Sequence, residues 1–146
     1  MKYKFAWALG MLSIVGSLTL SGCCDGKVQE CNKLVTVINN NGESIKTATA
    51  KMNAAKEDTK AIEEVASTME KAADDIKVVE VKDEELAKLS KEYEDMLRNG
   101  AKAARDMVKA ASDNDLPALT KAMGEIGKVE TTEAKLVNRV NQYCAQ

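Results

Sequence analysis

Histidine is missing from all 146 residues. Its absence removes the commonest general base, the commonest metal ligand and the usual haem ligand together. Aromatic side chains are nearly as scarce: Tyr3, Phe5, Trp7, Tyr93 and Tyr143 are the full set, and only the last two lie beyond residue 22. Proline occurs once, as Pro117. With so few aromatics to line a sheet and with abundant Ala, Glu and Lys, the chain beyond residue 22 reads as all-α. No G-x-S-x-G, glycine-rich phosphate loop or Cys/His dyad is present, and the Glu-x-x-His pairs of di-iron bundles cannot be built without histidine. We therefore expect no catalytic residue, no metal site and no cofactor. An excess of positive charge is lacking too: 21 basic residues face 23 acidic ones. A nucleic-acid partner would demand a basic patch, so none is expected.

What is present begins with a polarised N-terminus. Lys2 and Lys4 precede Phe5 to Leu20, a run in which Ser13, Ser17 and Thr19 are the polar members. A short positive region followed by an apolar one is the layout of a secretory signal. The run, about 16 residues, falls at or below the roughly 17 to 25 that a membrane-crossing helix needs. It closes on Leu20-Ser21-Gly22-Cys23. This tetrapeptide resembles the lipobox of bacterial lipoproteins, in which the precursor is cut before the cysteine and the thiol receives a diacylglyceryl group. The resemblance covers residues 1–24. It implies a signal peptide over 1–22, lipidation of Cys23, a tether over 23–27 and a mature domain over 28–146. It also implies a cell-envelope location, lipid-anchored and facing the periplasm or the surface. Cys24, rather than an aspartate, follows Cys23, which by the same resemblance favours the outer over the inner membrane. Two or three acyl chains anchor a protein stably where one does so marginally. Removing 22 of the 146 residues leaves 124, enough for one small domain.

Along that domain, apolar residues recur at helical spacing. Cys31, Leu34, Ile38, Ile45, Ala48, Met52 and Ala55 mark a first helix from about Val28. Asn39-Asn40-Asn41-Gly42 is a weak spot within it. Lys56-Glu57-Asp58 marks a reversal with Asp58 as N-cap, and Ile62, Val65, Ala66, Met69, Ala72, Ala73 and Ile76 carry a shorter second helix. Val78, Val79 and Val81 suit extended backbone before Asp83 caps a third helix, in which Leu86, Leu89, Tyr93, Met96, Leu97, Ala103, Ala104, Met107, Val108 and Ala111 form the apolar face. Asp113-Asn114-Asp115 ends that helix and starts a fourth, with Pro117 in the first turn, where its missing N–H is harmless. Helices one, three and four would each run about 42 to 45 Å, and the shorter second matches them once six extended residues are added. The expected fold is an up-down-up-down antiparallel four-helix bundle.

That topology puts the start of helix one beside the end of helix four, and with them Cys31 and Cys144. In an exported protein these two are expected to form a disulfide, two buried free thiols being the alternative. Cys24 is then left over. A zinc site from Cys23, Cys24, Cys31 and Cys144 would lack any C-x-x-C pair. The acids read as solvated faces paired with lysines, as in Glu57 with Lys60, Asp74 with Lys77 and Glu84 with Lys88. Met52, Met69, Met96, Met107 and Met123 read as core filler rather than copper ligands.

The domain also resembles small helical lipoproteins of Gram-negative bacteria over residues 31–144, through Cys31-Asn32-Lys33 and Asn141-Gln142-Tyr143-Cys144. That resemblance implies no activity. The expected function is non-enzymatic: a lipid-anchored bundle acting by contact with an envelope protein or as a spacer. The alternative is a carrier or sensor holding a small apolar ligand in a cavity lined by the five methionines. The two readings differ in whether the core is closed.

Overall fold

The computed structural model describes residues 25–55 and 58–146. The signal segment, Cys23, Cys24, Lys56 and Glu57 lie outside the described residues. Four helices account for nearly all of the rest: α1 (Asp25–Ala54), α2 (Thr59–Lys77), α3 (Glu84–Ser112) and α4 (Leu116–Cys144). No strand occurs among the described residues.

Each helix start after the first is set by an aspartate, as the sequence leads one to expect. Asp58 accepts from the Lys60 N–H at 3.0 Å, Asp83 from Leu86 at 2.9 Å and Asp115 from Ala118 at 3.0 Å. Each of these caps satisfies an amide that the helix itself cannot. Pro117 stands in the first turn of α4. Between α3 and α4, Asn114 takes a left-handed backbone with φ of 53°, a conformation that asparagine tolerates better than most residues.

Two features depart from expectation. Helix α1 begins at Asp25, so Gly26 and Lys27 belong to the helix and Cys31 falls in its second turn. The added residues include Lys27, and Glu30 follows in the next turn; their partners lie on α4 and on the α2–α3 connection. The asparagine run, expected as a weak spot rather than a break, is helical throughout, and the departure is that one of its members enters the core. Asn41 is buried, and its Nδ2 donates to the Ala72 carbonyl of α2 at 3.1 Å. A polar group at a core position is satisfied in one alignment of the two helices and orphaned by a slip, so Asn41 fixes their register.

The bundle is organised around α3, which buries Leu86, Leu89, Tyr93, Met96, Leu97, Ala103 and Ala104 along a wide face. It packs extensively against α2 on one side and α4 on the other; α1 packs chiefly on α2 and only slightly on α4. Leu34, Ile76, Leu86, Leu89, Tyr93, Leu97 and Val140 are enclosed almost completely. Each such apolar side chain contributes about 1.5–3 kcal/mol through its removal from water. Close approach is helped by Gly100: a Cβ there would meet Met69 Sδ at 3.0 Å and Val129 Cγ1 at 3.4 Å. Among the alanines that occur in adjacent pairs, Ala72, Ala73, Ala103, Ala104 and Ala110 are buried, whereas Ala54, Ala55 and Ala111 are exposed.

Charged residues hold the outside. Arg98 reaches Asp74 of α2 at 2.8 Å and Glu94 at 2.9 Å; Arg105 pairs with Glu63 at 3.2 Å and with both oxygens of Glu70; Arg139 pairs with Glu92. Asp74, expected beside Lys77, therefore engages Arg98, because α3 brings a planar fork within reach. Lys88, expected beside Glu84, lies 4.0 Å from Glu85. Solvent screens half-exposed pairs of this kind, so they select helix alignment more than they stabilise it.

Candidate functional site

The most heavily fastened part of the molecule is the end at which Cys31 and Cys144 meet. Their sulfurs are bonded, with Cα atoms 5.7 Å apart and a sequence separation of 113. On the chain-entropy account a closure of that length contributes about 4–5 kcal/mol. Cys31 is buried on the apolar stripe of α1, and Cys144 is the last residue of α4.

Around the disulfide, three stretches of chain are tied by polar contacts. The Tyr143 hydroxyl lies 2.8 Å from both carboxylate oxygens of Asp83 and donates to that group. Lys27 Nζ sits 4.0 Å above the Tyr143 ring, a cation over the negative face of a π-system. Glu30 Oε2 accepts from the backbone N–H groups of Lys82 and Asp83 at 2.9 and 3.0 Å. One carboxylate of α1 thereby holds the α2–α3 connection, and Asp83 at once caps α3 and receives α4. The Leu86 N–H, followed by the Tyr143 hydroxyl, holds the Asp83 carboxyl below its ordinary pKa, while the same carboxylate raises the Tyr143 phenol.

A second polar feature lies in the interior. The Tyr93 hydroxyl donates to Glu133 Oε1 of α4 at 3.3 Å. Burial raises the pKa of both groups; the Tyr93 hydrogen bond partly offsets the rise at Glu133, and the nearby Glu130 charge adds to it. Glu133 recurs in step with Ile126, Val129, Leu136 and Val140, so it occupies a core register position. Tyrosine and glutamate here satisfy one another and offer no third group for chemistry.

Between α1 and α2 runs a groove of about 600 Å³, bordered by residues such as Asn41, Ser44, Thr47, Lys51, Glu64 and Thr68. Most of the residues that border it are polar or charged, and none of the five methionines is among them. Met69 and Met96 are buried in the core; Met52, Met107 and Met123 are half-buried. Among the described residues, no group of three or more His, Cys, Asp or Glu is placed to hold a metal ion, and no helix is long and apolar enough to cross a membrane.

Of the residues singled out from sequence, Cys31 and Cys144 are brought together, while Cys23 and Cys24 lie outside the described residues. Lys27, Glu30 and the Tyr143–Asp83 bond were not legible. Glu30 and Asp83 are 53 residues apart and Tyr143 and Asp83 are 60 apart, and no local spacing signals such pairs. No protein-family model matches the chain, and no curated protein or solved structure matches it either.

Proposed function

We propose that this protein is a lipid-anchored, non-enzymatic helical bundle of the bacterial cell envelope that acts through contact with another envelope protein or as a spacer. In this reading residues 1–22 are a signal peptide, Cys23 carries the lipid, and the bundle runs up-down-up-down. Pairs between neighbouring helices support the topology: Lys51 late in α1 meets Glu64 early in α2, Arg98 of α3 meets Asp74 while Arg105, seven residues on, meets the earlier Glu70 and Glu63 of α2, and Glu92 early in α3 meets Arg139 late in α4. The observation that carries the reading is the Cys31–Cys144 disulfide, a bond that persists in oxidising compartments outside the cytoplasm. It stands eight positions after Cys23, so the covalent tie and the lipid belong to one end of the bundle.

The closeness of Met69 to Gly100 and the burial of Met69 and Met96 favour a filled core over an apolar-ligand pocket. The groove on α1 and α2 is open to solvent and bordered mostly by polar and charged residues, which suits contact with another surface better than enclosure of an apolar molecule. Fractionation of cells fed an alkyne fatty acid tests the anchor: the wild type labels and sediments with the envelope, and Cys23→Ser does neither. Label on Cys23→Ser, or an unlabelled wild type, contradicts the reading. Crosslinking in intact envelopes then tests the contact role: a specific partner is captured by the wild type and lost with Cys23→Ser. Recovery of no specific partner leaves the spacer role in place of contact.

A further inference from the structure

Three large apolar side chains stand exposed among the described residues: Val28, Val78 and Leu116. They are not scattered. Val28 is in the first turn of α1, and Val78 directly follows the last residue of α2, at the end of the bundle that the disulfide closes. Leu116 opens α4 at the far end of α3, a helix of 29 residues and about 43 Å.

Val78 is the most exposed of the three, at 75%. Its neighbours in the connection, Val79 and Val81, are half-buried and pack against the core. Val78 caps the C-terminus of α2 with helical backbone (φ −85°, ψ −3°), and its side chain and that of Glu80 face out while Val79 and Val81 turn inward. The connection is held in place: Val79 N–H donates to Ile76 O at 3.1 Å, and Glu30 of α1 grips Lys82 and Asp83. Val78 is therefore presented at a fixed position relative to the start of α1. Cys23 stands two residues before Asp25, a reach of at most about 7 Å.

We propose that the disulfide-closed end of the bundle rests on the bilayer surface, with Val78 as the side chain that enters the interfacial region and Val28 beside it. This deepens the functional reading above and rests on Cys23 being lipidated. The occupant is a lipid surface because the chain leaves the structure at this end, toward the lipid-bearing cysteine, and the other end lies a helix length away. Lys77 and Lys82 bracket the connection and suit headgroup phosphates, while Glu80 between them opposes; the contact is accordingly apolar in its main part. One or two valines would not hold a free protein on a membrane. The anchor changes this by keeping the end at a high local concentration near the bilayer, where a weak contact suffices to orient the molecule. The consequence is an upright bundle that directs the α3–α4 turn away from the membrane.

The experiment exploits the chain's own composition, since Trp7 is its one tryptophan and belongs to the segment removed before Cys23. Full-length protein carrying Val78→Trp or, separately, Leu116→Trp is expressed, processed by the host and purified. It is then reconstituted into vesicles of phosphatidylethanolamine and phosphatidylglycerol, with lipid brominated near the headgroup as quencher. The expected result is emission from Val78→Trp that is blue-shifted and quenched several-fold more than that of Leu116→Trp. Equal quenching at both positions, or none at either in protein that still floats with the vesicles, overturns the docking and leaves the anchor standing. Failure to float overturns the anchor and the docking with it. A blue shift that grows with protein concentration in detergent, without vesicles, assigns Val78 to a second copy of the chain and also overturns the proposal.

Discussion

The two ends of this bundle are made from the same four helices and differ in how they are fastened. At one end a disulfide, the Tyr143–Asp83 bond, the Glu30 grip on the α2–α3 connection and the Lys27–Tyr143 contact converge within a few turns. At the other, Met52, Met107, Leu119 and Met123 are half-buried, Leu116 is exposed, and the fastening is by caps at Asp58 and Asp115 and by half-exposed ion pairs, Lys51 with Glu64 and Arg105 with Glu63. The contrast explains the slight packing of α1 on α4: these helices are first and last in the chain, and a covalent bond at one end substitutes for a shared core along the rest. It also suggests a division of labour, with a rigid end for attachment and a more open end for contact.

The largest effect that could break this comparison is loss of the disulfide. Replacing both Cys31 and Cys144 by alanine should cost about 3–5 kcal/mol in urea unfolding, and amide exchange should rise most along α1 and the last turns of α4. Equal acceleration at both ends would remove the contrast. Next come matched core truncations. Leu86, fully buried near the closed end, should cost about 3–5 kcal/mol as Leu86→Ala, and Leu119, half-buried at the open end, under about 1.5 kcal/mol as Leu119→Ala. Chemical denaturation of the two variants reads the difference directly.

A smaller change should sharpen the comparison from the other side. A Cβ built at Gly124 or Gly127 of α4 meets nothing within 4 Å. Gly124→Ala should therefore stabilise the open half by about 0.5–1 kcal/mol by restricting the unfolded chain, measured as a rise in melting temperature. The smallest effect belongs to Tyr143→Phe and is best read against pH. The Asp83 pKa is lowered in the folded state, so its contribution is present above the ordinary carboxylate pKa and is lost as pH falls through the folded value. Wild type should exceed Tyr143→Phe in stability at neutral pH, and the two should converge in acid. A gap that persists unchanged below the carboxylate range would show that the Asp83 charge plays no part.

Most of the architecture was legible because it depends on local signals. Asp58, Asp83, Asp115 and Pro117 announce helix starts through their own side chains, and the apolar stripes expected for α2 and for α3 as far as Ala104 supply core residues, whereas Ala111 at the end of the α3 stripe is exposed. The four helices and the Cys31–Cys144 bond follow from those signals together with helix length. What was not legible depends on partners far away in sequence. Asn41 reads locally as a poor helix former and becomes a register device only when Ala72 is opposite it. Asp74 has a lysine three residues on, yet pairs with an arginine 24 residues away, because interhelical geometry outranks spacing along one helix. Residues 25–27 carry no local helix signal, because what holds the start of α1, the Tyr143 ring beneath Lys27 and the amides of Lys82 and Asp83 that Glu30 grips one turn on, is supplied by the assembled fold.

The central claim is that the covalently closed end is also the anchored end, and one tryptic map of envelope-purified protein, kept non-reduced, tests it. Cleavage after Lys27, Lys33 and Arg139 separates peptides 23–27, 28–33 and 140–146. The account predicts that 23–27 begins at Cys23 and carries diacylglyceryl and acyl mass, and that 28–33 runs disulfide-linked to 140–146. A chain still joined across Gly22 and Cys23, an unmodified Cys23, or peptides 28–33 and 140–146 recovered as separate free thiols would contradict it.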